Sequence, residues 1–259
     1  MFKTLISATR PARYWFDRVT YGNKRLAVRL ESLRDRYQGQ PMLIVGNGPS
    51  LNKTPLDQFE GVASIGMNKI DLLFDRTSWR PSMIVCMNNM VVKQHADVFA
   101  RSDIPIYISW KCRHFMPRQQ RDSVEYFLSY LAPDFSTDIS QGVSSSATVT
   151  SAALQFAYFM GAGPVILFGV DHSFNQQGNH YEYAKRSGRD ENHFDPNYFK
   201  SGDWWGLPNL ESSEVSYVMA REAFAADGRE IYDASIGGKL TVFPKISVDE
   251  ALQICRQAQ

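Results

Sequence analysis

The run Met42-Leu43-Ile44-Val45, set between Pro41 and Gly46, constrains this chain more than any other stretch. Four apolar residues without polar alternation suit a strand covered on both faces, as inside a parallel sheet. Val62 to Gly66 and Ser82 to Met87 repeat the pattern, Ile104 to Ser109 follows as a fourth strand, and Pro164 to Phe168 forms a fifth. The stretches between them read as helical. Strand, helix and strand in alternation, joined by right-handed crossovers, predict a Rossmann-like, doubly wound α/β fold with a mostly parallel sheet.

Before the fifth strand, Ser144-Ser145-Ser146 is expected to open and cap a helix running to about Met160, with Ala147, Ala152, Ala153, Leu154, Ala157 and Phe159 on its buried face. Gly161 and Gly163 stop it. From Asp171 to Leu210 the periodicity fades, and this polar, aromatic stretch holds His172, His180 and His193. So long a loop inside a compact domain is a lid or binding segment. A helix over about 211–227, a strand over 230–234 and a helix over 248–257 complete the reading. The chain thus divides into a basic helical segment, 1–40, and a Rossmann-like nucleotide-binding domain, 41–259, with a lid at about 172–210.

Net charge is +1, yet residues 1–40 hold nine cations against three carboxylates, a net of +6 that leaves −5 for the remainder. A slightly acidic remainder repels phosphodiesters, so no nucleic-acid partner is expected. The basic segment, with Phe2, Leu5, Ile6, Tyr14, Trp15 and Phe16 among its cations, reads as a helix packed on the domain or on a second subunit, or as a peripheral membrane contact. No apolar run reaches the roughly 18 residues of a membrane span. Three scattered cysteines, Cys86, Cys112 and Cys255, without a CxxC pair, indicate neither a disulfide framework nor a zinc knuckle. The expected setting is cytoplasmic, with the inner membrane face as the peripheral alternative.

Gly46-Asn47-Gly48-Pro49-Ser50-Leu51 directly follows the first strand. Glycines there let backbone N–H groups approach an anion, and a helix start adds its positive end. Pro49, lacking an N–H, suits the first helical position. Leu51 stands where a dinucleotide fingerprint needs glycine, and the Lys of a P-loop is missing. A tight turn without a ligand is the plainer alternative. Asn68 and Asn88 follow the second and third strands, at the edge where open α/β sheets bind ligands, although asparagine also caps helices and fits turns. Asp171 closes the fifth strand and either reaches a ligand or caps its loop. Trp204, Trp205, Tyr181, Tyr183 and Tyr198 suit stacking on a sugar or pterin, or glue the lid to the sheet.

The string from Leu43 to Leu51, with Asn68 and Asn88, resembles the small bacterial sialyltransferases that use CMP-activated sugars. It equally resembles the 6-hydroxymethylpterin diphosphokinase MptE-like family, which shares the fold core. The likeness continues in patches through Gly142 to Ser146 and Ile166 to Asp171, covering roughly residues 42–200. The sialyltransferase likeness implies Asn47, Gly48, Pro49 and Ser50 at the donor phosphate and ribose, Asn68 and Asn88 on the donor, and Ser144, Ser145 and Ser146 at the cytidine. It also implies a phosphate-touching tyrosine, for which Phe174 stands at one expected place and Tyr181 matches the other. Glu191-Asn192-His193-Phe194 matches the setting of the base, His193.

That likeness makes the chain a glycosyltransferase taking a CMP-sugar to a bacterial surface glycan, with no cofactor or metal required. The diphosphokinase likeness makes it an enzyme moving pyrophosphate from ATP, with Mg²⁺ held in part by Asp171. A third reading is a non-catalytic nucleotide-binding module of a glycan-assembly complex.

Overall fold

A computed structural model describes residues 14–22, 26–145, 148–175 and 182–257. Helix α1 covers 14–22 and α2 Leu26–Glu31. Strands β1 (Met42–Val45), β2 (Ser64–Met67) and β3 (Met83–Cys86) follow, then α3 (Asn89–Ala100), β4 (Ile106–Ser109) and β5 (Glu125–Phe127). Two short strands, β6 (Ser129–Tyr130) and β7 (Val143–Ser144), pair apart from the main sheet, and α4 (Val149–Phe159) leads to β8 (Val165–Phe168). An antiparallel hairpin of β9 (Tyr183–Lys185) and β10 (Trp204–Gly206) precedes α5 (Leu210–Ala226), β11 (Ile231–Asp233) and α6 (Val248–Gln257).

The main sheet is parallel throughout, in the order β11-β8-β1-β2-β3-β4-β5. The chain steps from β1 outward to β5 and returns on the other side of β1, so the strand order reverses between β1 and β8. This is the doubly wound pattern, whose ligand crevice lies at the carboxyl ends of the strands. Every residue of β1, β2, β3, β4 and β8 is buried, as the unbroken apolar runs require.

Helix α4 crosses β1, β2 and β3 and is buried on nearly every side. Its Phe156 meets Tyr107 of β4 and Phe127 of β5 edge-on, with centroids 5.5 and 5.4 Å apart. Its buried Gln155 binds both backbone groups of Ser144, accepting from the amide at 2.8 Å and donating to the carbonyl at 3.0 Å. The three cysteines are buried and form no disulfide. No described helix is long and apolar enough to cross a membrane.

Several local expectations need correction. The connections from β1 to β2 and from β2 to β3 hold only short 3₁₀ turns (Pro49–Lys53 and Leu56–Phe59, then Ile70–Leu73), and Pro55 ends the first of them by keeping Thr54 extended. The serines do not cap α4. Val143–Ser144 is a strand, and the cap is Thr148, whose hydroxyl accepts from the Thr150 amide. Ser146 lies outside the described residues. The basic segment shares the common core, since Tyr21, Leu26, Leu30 and Leu33 are buried in it.

Candidate functional site

The bend after β1 is closed upon the loop after β8. The Gly48 amide donates to the Gly169 carbonyl at 2.8 Å, and Ser50 gives both its amide, at 2.8 Å, and its hydroxyl to the Asp171 carboxylate. A carboxylate of the chain therefore occupies the place next to Ser50 where the sequence led us to expect a ligand anion. Burial raises the Asp171 pKa, and the Ser50 hydrogen bonds partly offset that shift. Pro49 starts the 3₁₀ turn, as expected, with Gly48 as its N-cap.

The same bend grips the lid. The Asn47 carbonyl accepts from the Phe194 amide at 2.9 Å, and Asn52 Nδ2 donates to the Phe194 carbonyl at 3.0 Å. Both polar groups of the residue after His193 are thus pinned to it. Asn47 Nδ2 donates to the Met67 carbonyl at 3.0 Å, tying bend, β2 and lid together, while its buried Oδ1 has no partner.

Beside this clamp, at the carboxyl ends of β2 and β3, lies a cavity of about 260 Å³. Of the residues singled out in the sequence it brings together Asn68, Asn88, Ser145 and His193. Asn47, Gly48, Pro49, Ser50, Ser144 and Asp171 do not line it, and Ser144 sits fully buried behind it with its hydroxyl on the Ala132 carbonyl. Tyr181 and His180 lie outside the described residues. Two larger hollows, of 490 and 420 Å³, open at the amino-terminal end of the sheet. Arg229, which lines both, is engaged by Asp227 and by the Tyr158 and Ala162 carbonyls.

The cavity's electrostatics come from helix ends. Asn88, Thr148 and Asn209, the N-caps of α3, α4 and α5, all line it. Each α-helix end carries a partial positive charge, so the three caps favour an anion at the cavity's edge, offset in part by Glu211 in the first turn of α5. Lys111 and Glu182 line the cavity as well. The aromatic wall is Phe174, Tyr183, Tyr198, Phe199 and Trp205; the Asn68 Oδ1 and Trp205 Nε1 atoms are buried without partners.

His193 is held from two sides. Its Nδ1 lies 2.9 Å from Asp190 Oδ2, and its ring stacks on Tyr198 with centroids 3.9 Å apart and planes 2° from parallel. The Tyr198 hydroxyl is in turn hydrogen-bonded by the Asn68 side chain, and burial raises its pKa strongly. Asp190 also accepts from the amides of Asn192 and Phe199. Burial alone would raise the Asp190 pKa, but His193, the Asn192 amide and Arg186 outweigh it, so the carboxyl lies below its ordinary range. With Nδ1 engaged, Nε2 is the nitrogen available to a guest.

Beneath this stack Lys69 is buried, donating to the Tyr198 carbonyl at 2.8 Å and to Gln94 Oε1 at 2.9 Å. Its pKa is lowered by burial. Asp190 was missed in the sequence, although its place three residues before His193 was visible. Thr148 and Asn209 were missed too, although each polar residue precedes a helical run. Among the described residues no three acidic, histidine or cysteine side chains gather as a metal site.

Asn88 has a structural duty that must be separated from any ligand contact. Its Oδ1 accepts from Met90 and Val91 amides, so Asn88→Ala is expected to cost about 1 kcal/mol through the lost cap. Asn88→Ser keeps a cap and should recover most of that loss in a denaturant melt. Any defect in ligand binding that Ser does not rescue then belongs to the carboxamide.

The family model described as 6-hydroxymethylpterin diphosphokinase MptE-like matches residues 20–177. That span takes in the bend, Asn68, Asn88, the three N-terminal strands and Asp171, and ends before His193. No curated protein and no solved structure matches the chain significantly.

Proposed function

From the premise that this chain belongs to the 6-hydroxymethylpterin diphosphokinase MptE-like family, we propose that it is a transferase that moves an activated group from a nucleotide donor to an acceptor hydroxyl. One observation carries this reading: three helix N-termini and an Asp-held imidazole face one cavity at the carboxyl edge of the sheet. The helix ends supply positive potential for the donor's phosphate, and for the charge that grows on it as it leaves. The histidine supplies a base for the acceptor.

In the favoured form the donor is a nucleotide-activated sugar, with a CMP-sugar carried over from the sequence resemblance. The acceptor oxygen attacks the anomeric carbon as its proton passes to His193 Nε2. The bond from that carbon to the nucleotide phosphate breaks, and the electron pair leaves with the phosphate. Asp190 fixes Nδ1–H, so the lone pair points from Nε2, and stabilises the imidazolium that forms. The carboxamides of Asn68 and Asn88 and the aromatic wall suit a hydroxyl-rich or flat heterocyclic guest.

The family's description favours a second form, in which the acceptor hydroxyl attacks the β-phosphorus of ATP and AMP leaves. Mg²⁺ would then lower the charge on the phosphates. Asp171, turned onto Ser50 and away from the cavity, fits that duty poorly, and Glu182 is the carboxylate on the cavity wall.

A thermal-shift screen with CMP, CDP, UDP, GDP and ATP, each with and without Mg²⁺, separates the two. A ligand at about 100 times its Kd raises stability by about 2.7 kcal/mol, a shift of a few degrees. Stabilisation by CMP without metal supports sugar transfer, and stabilisation by ATP only with Mg²⁺ supports pyrophosphoryl transfer. No shift with any nucleotide would remove both.

A further inference from the structure

Helix α1 has two unlike sides. The inner one is fastened to the domain: the Asp17 carboxylate accepts from Arg113 at 2.7 Å, Thr20 Oγ1 accepts from Trp110 Nε1 at 3.0 Å, and Tyr21 meets the Trp110 ring edge-on. The outer side presents Trp15, 67% exposed, Phe16, 53% exposed, and Val19, 40% exposed, with the exposed Arg18 among them. Val28 and Arg29 of α2 are exposed as well. Scattered exposed apolar residues are ordinary on a protein surface, but several on one short helix mark a contact.

Charge decides what the contact is with. Of the charges in residues 1–40, Asp17 pairs with Arg113, Glu31 with Arg34, and Arg29 and Arg34 reach Glu125 and Asp138 of the domain, which leaves most of the nine cations without a carboxylate of their own segment. The cations therefore set the sign of this end of the molecule. Two copies meeting through it would bring a net +6 against +6, with only a few apolar side chains to compensate. An aromatic helix face bearing an exposed arginine, in a segment so rich in cations, is instead the composition of a helix lying in the headgroup layer of an anionic bilayer.

We propose that α1 docks this protein on anionic lipid, with Trp15, Phe16 and Val19 entering the headgroup layer and Arg18 and its neighbouring cations on lipid phosphates. The contact is peripheral. The docking element is also coupled to the cavity, because the 3₁₀ turn Trp110–Phe115 that anchors α1 through Trp110 and Arg113 gives Lys111 to the cavity wall.

Co-sedimentation of the full chain with vesicles tests the docking. Phosphatidylglycerol–phosphatidylcholine vesicles should bind it about tenfold more tightly than pure phosphatidylcholine, and raising salt from about 0.05 to 0.5 M should weaken the binding. Trp15→Ser/Phe16→Ser should reduce binding about tenfold at unchanged melting temperature, since both side chains stand in solvent. Arg18→Glu should reduce it on anionic vesicles alone. Equal binding to both vesicle types, or a double variant that binds like the parent, overturns the proposal. So does light scattering that finds a dimer which the double variant dissolves, since the face would then belong to a second copy. Nucleotide stabilisation, measured on the same samples, is expected to survive the double substitution, so loss of docking and failure of the transferase reading can be told apart.

Discussion

His193→Ala is expected to lower turnover by about 10²- to 10⁴-fold, the usual contribution of a placed general base, while nucleotide-induced stabilisation persists. The imidazole is one of many groups that line the cavity, so its loss removes the proton acceptor and leaves in place the helix ends that would hold phosphate. Asp190→Asn should reproduce most of the defect through the tautomer, because the carboxylate is what holds a proton on Nδ1.

The acid limb of stability reports on the same pair. The folded-state pKa of Asp190 is depressed, so its contribution to stability is present above the ordinary 3.8 and is lost as pH falls through the lower value. Asp190→Asn abolishes that dependence and His193→Ala removes its largest cause, so melting curves taken between about pH 2 and 5 should show a flatter acid limb for both variants than for the parent. Full turnover in His193→Ala would remove the base assignment.

Gly46→Ala should be the most damaging small substitution in the chain. A Cβ at Gly46 would lie 2.8 Å from the Gly169 carbonyl carbon, overlap its oxygen more closely still, and meet Val170 Cγ2 at 3.3 Å. These are mostly backbone atoms, and they cannot retreat, because the Gly46 amide donates to the Phe168 carbonyl at 2.7 Å and the Gly48 amide to that of Gly169. The two strand ends must separate, which we expect to cost about 3 kcal/mol or more. Gly61→Ala is the control: its φ of +79° makes any side chain strained, but nothing lies within 4 Å. It should cost only about 1–2 kcal/mol. Denaturant melts of the two variants check the difference, and a Gly46→Ala protein as stable as Gly61→Ala would show that the closure yields.

The strands were legible because burial on both faces leaves a local mark: Met42–Val45, Met83–Cys86 and Val165–Phe168 stand nearly as the apolar runs predict. The pairings of Glu125–Phe127, and of Tyr183–Lys185 with Trp204–Gly206, leave none. They are fixed by partners distant in sequence, and three residues carry too little pattern to reveal a strand. At the site, Asn68, Asn88 and His193 were found from their places after strands or within a motif, and they share one cavity.

What the sequence concealed was the direction in which the bend's donors point. Gly46 to Leu51 reads as an anion cradle whether its guest is a nucleotide or a carboxylate of the chain itself. Only the path of the loop after β8 brings Asp171 onto Ser50. The convergence of Asn88, Thr148 and Asn209 was hidden for the same reason, since three caps spread over about 120 residues meet only once the sheet is wound.

The double tether on Phe194 decides how the cavity can admit a guest. With its amide held by Asn47 and its carbonyl by Asn52, the segment bearing His193 is a fixed doorpost, moving only if the sheet moves. The β9–β10 hairpin, whose connecting loop holds that segment, carries Trp205 and Tyr183 and is joined to α3 through a 3.4 Å bond from Gln94 to the Trp204 carbonyl. Because Phe194 lies in the loop that joins the two strands of this hairpin, the same two bonds anchor hairpin and imidazole together to the bend after β1.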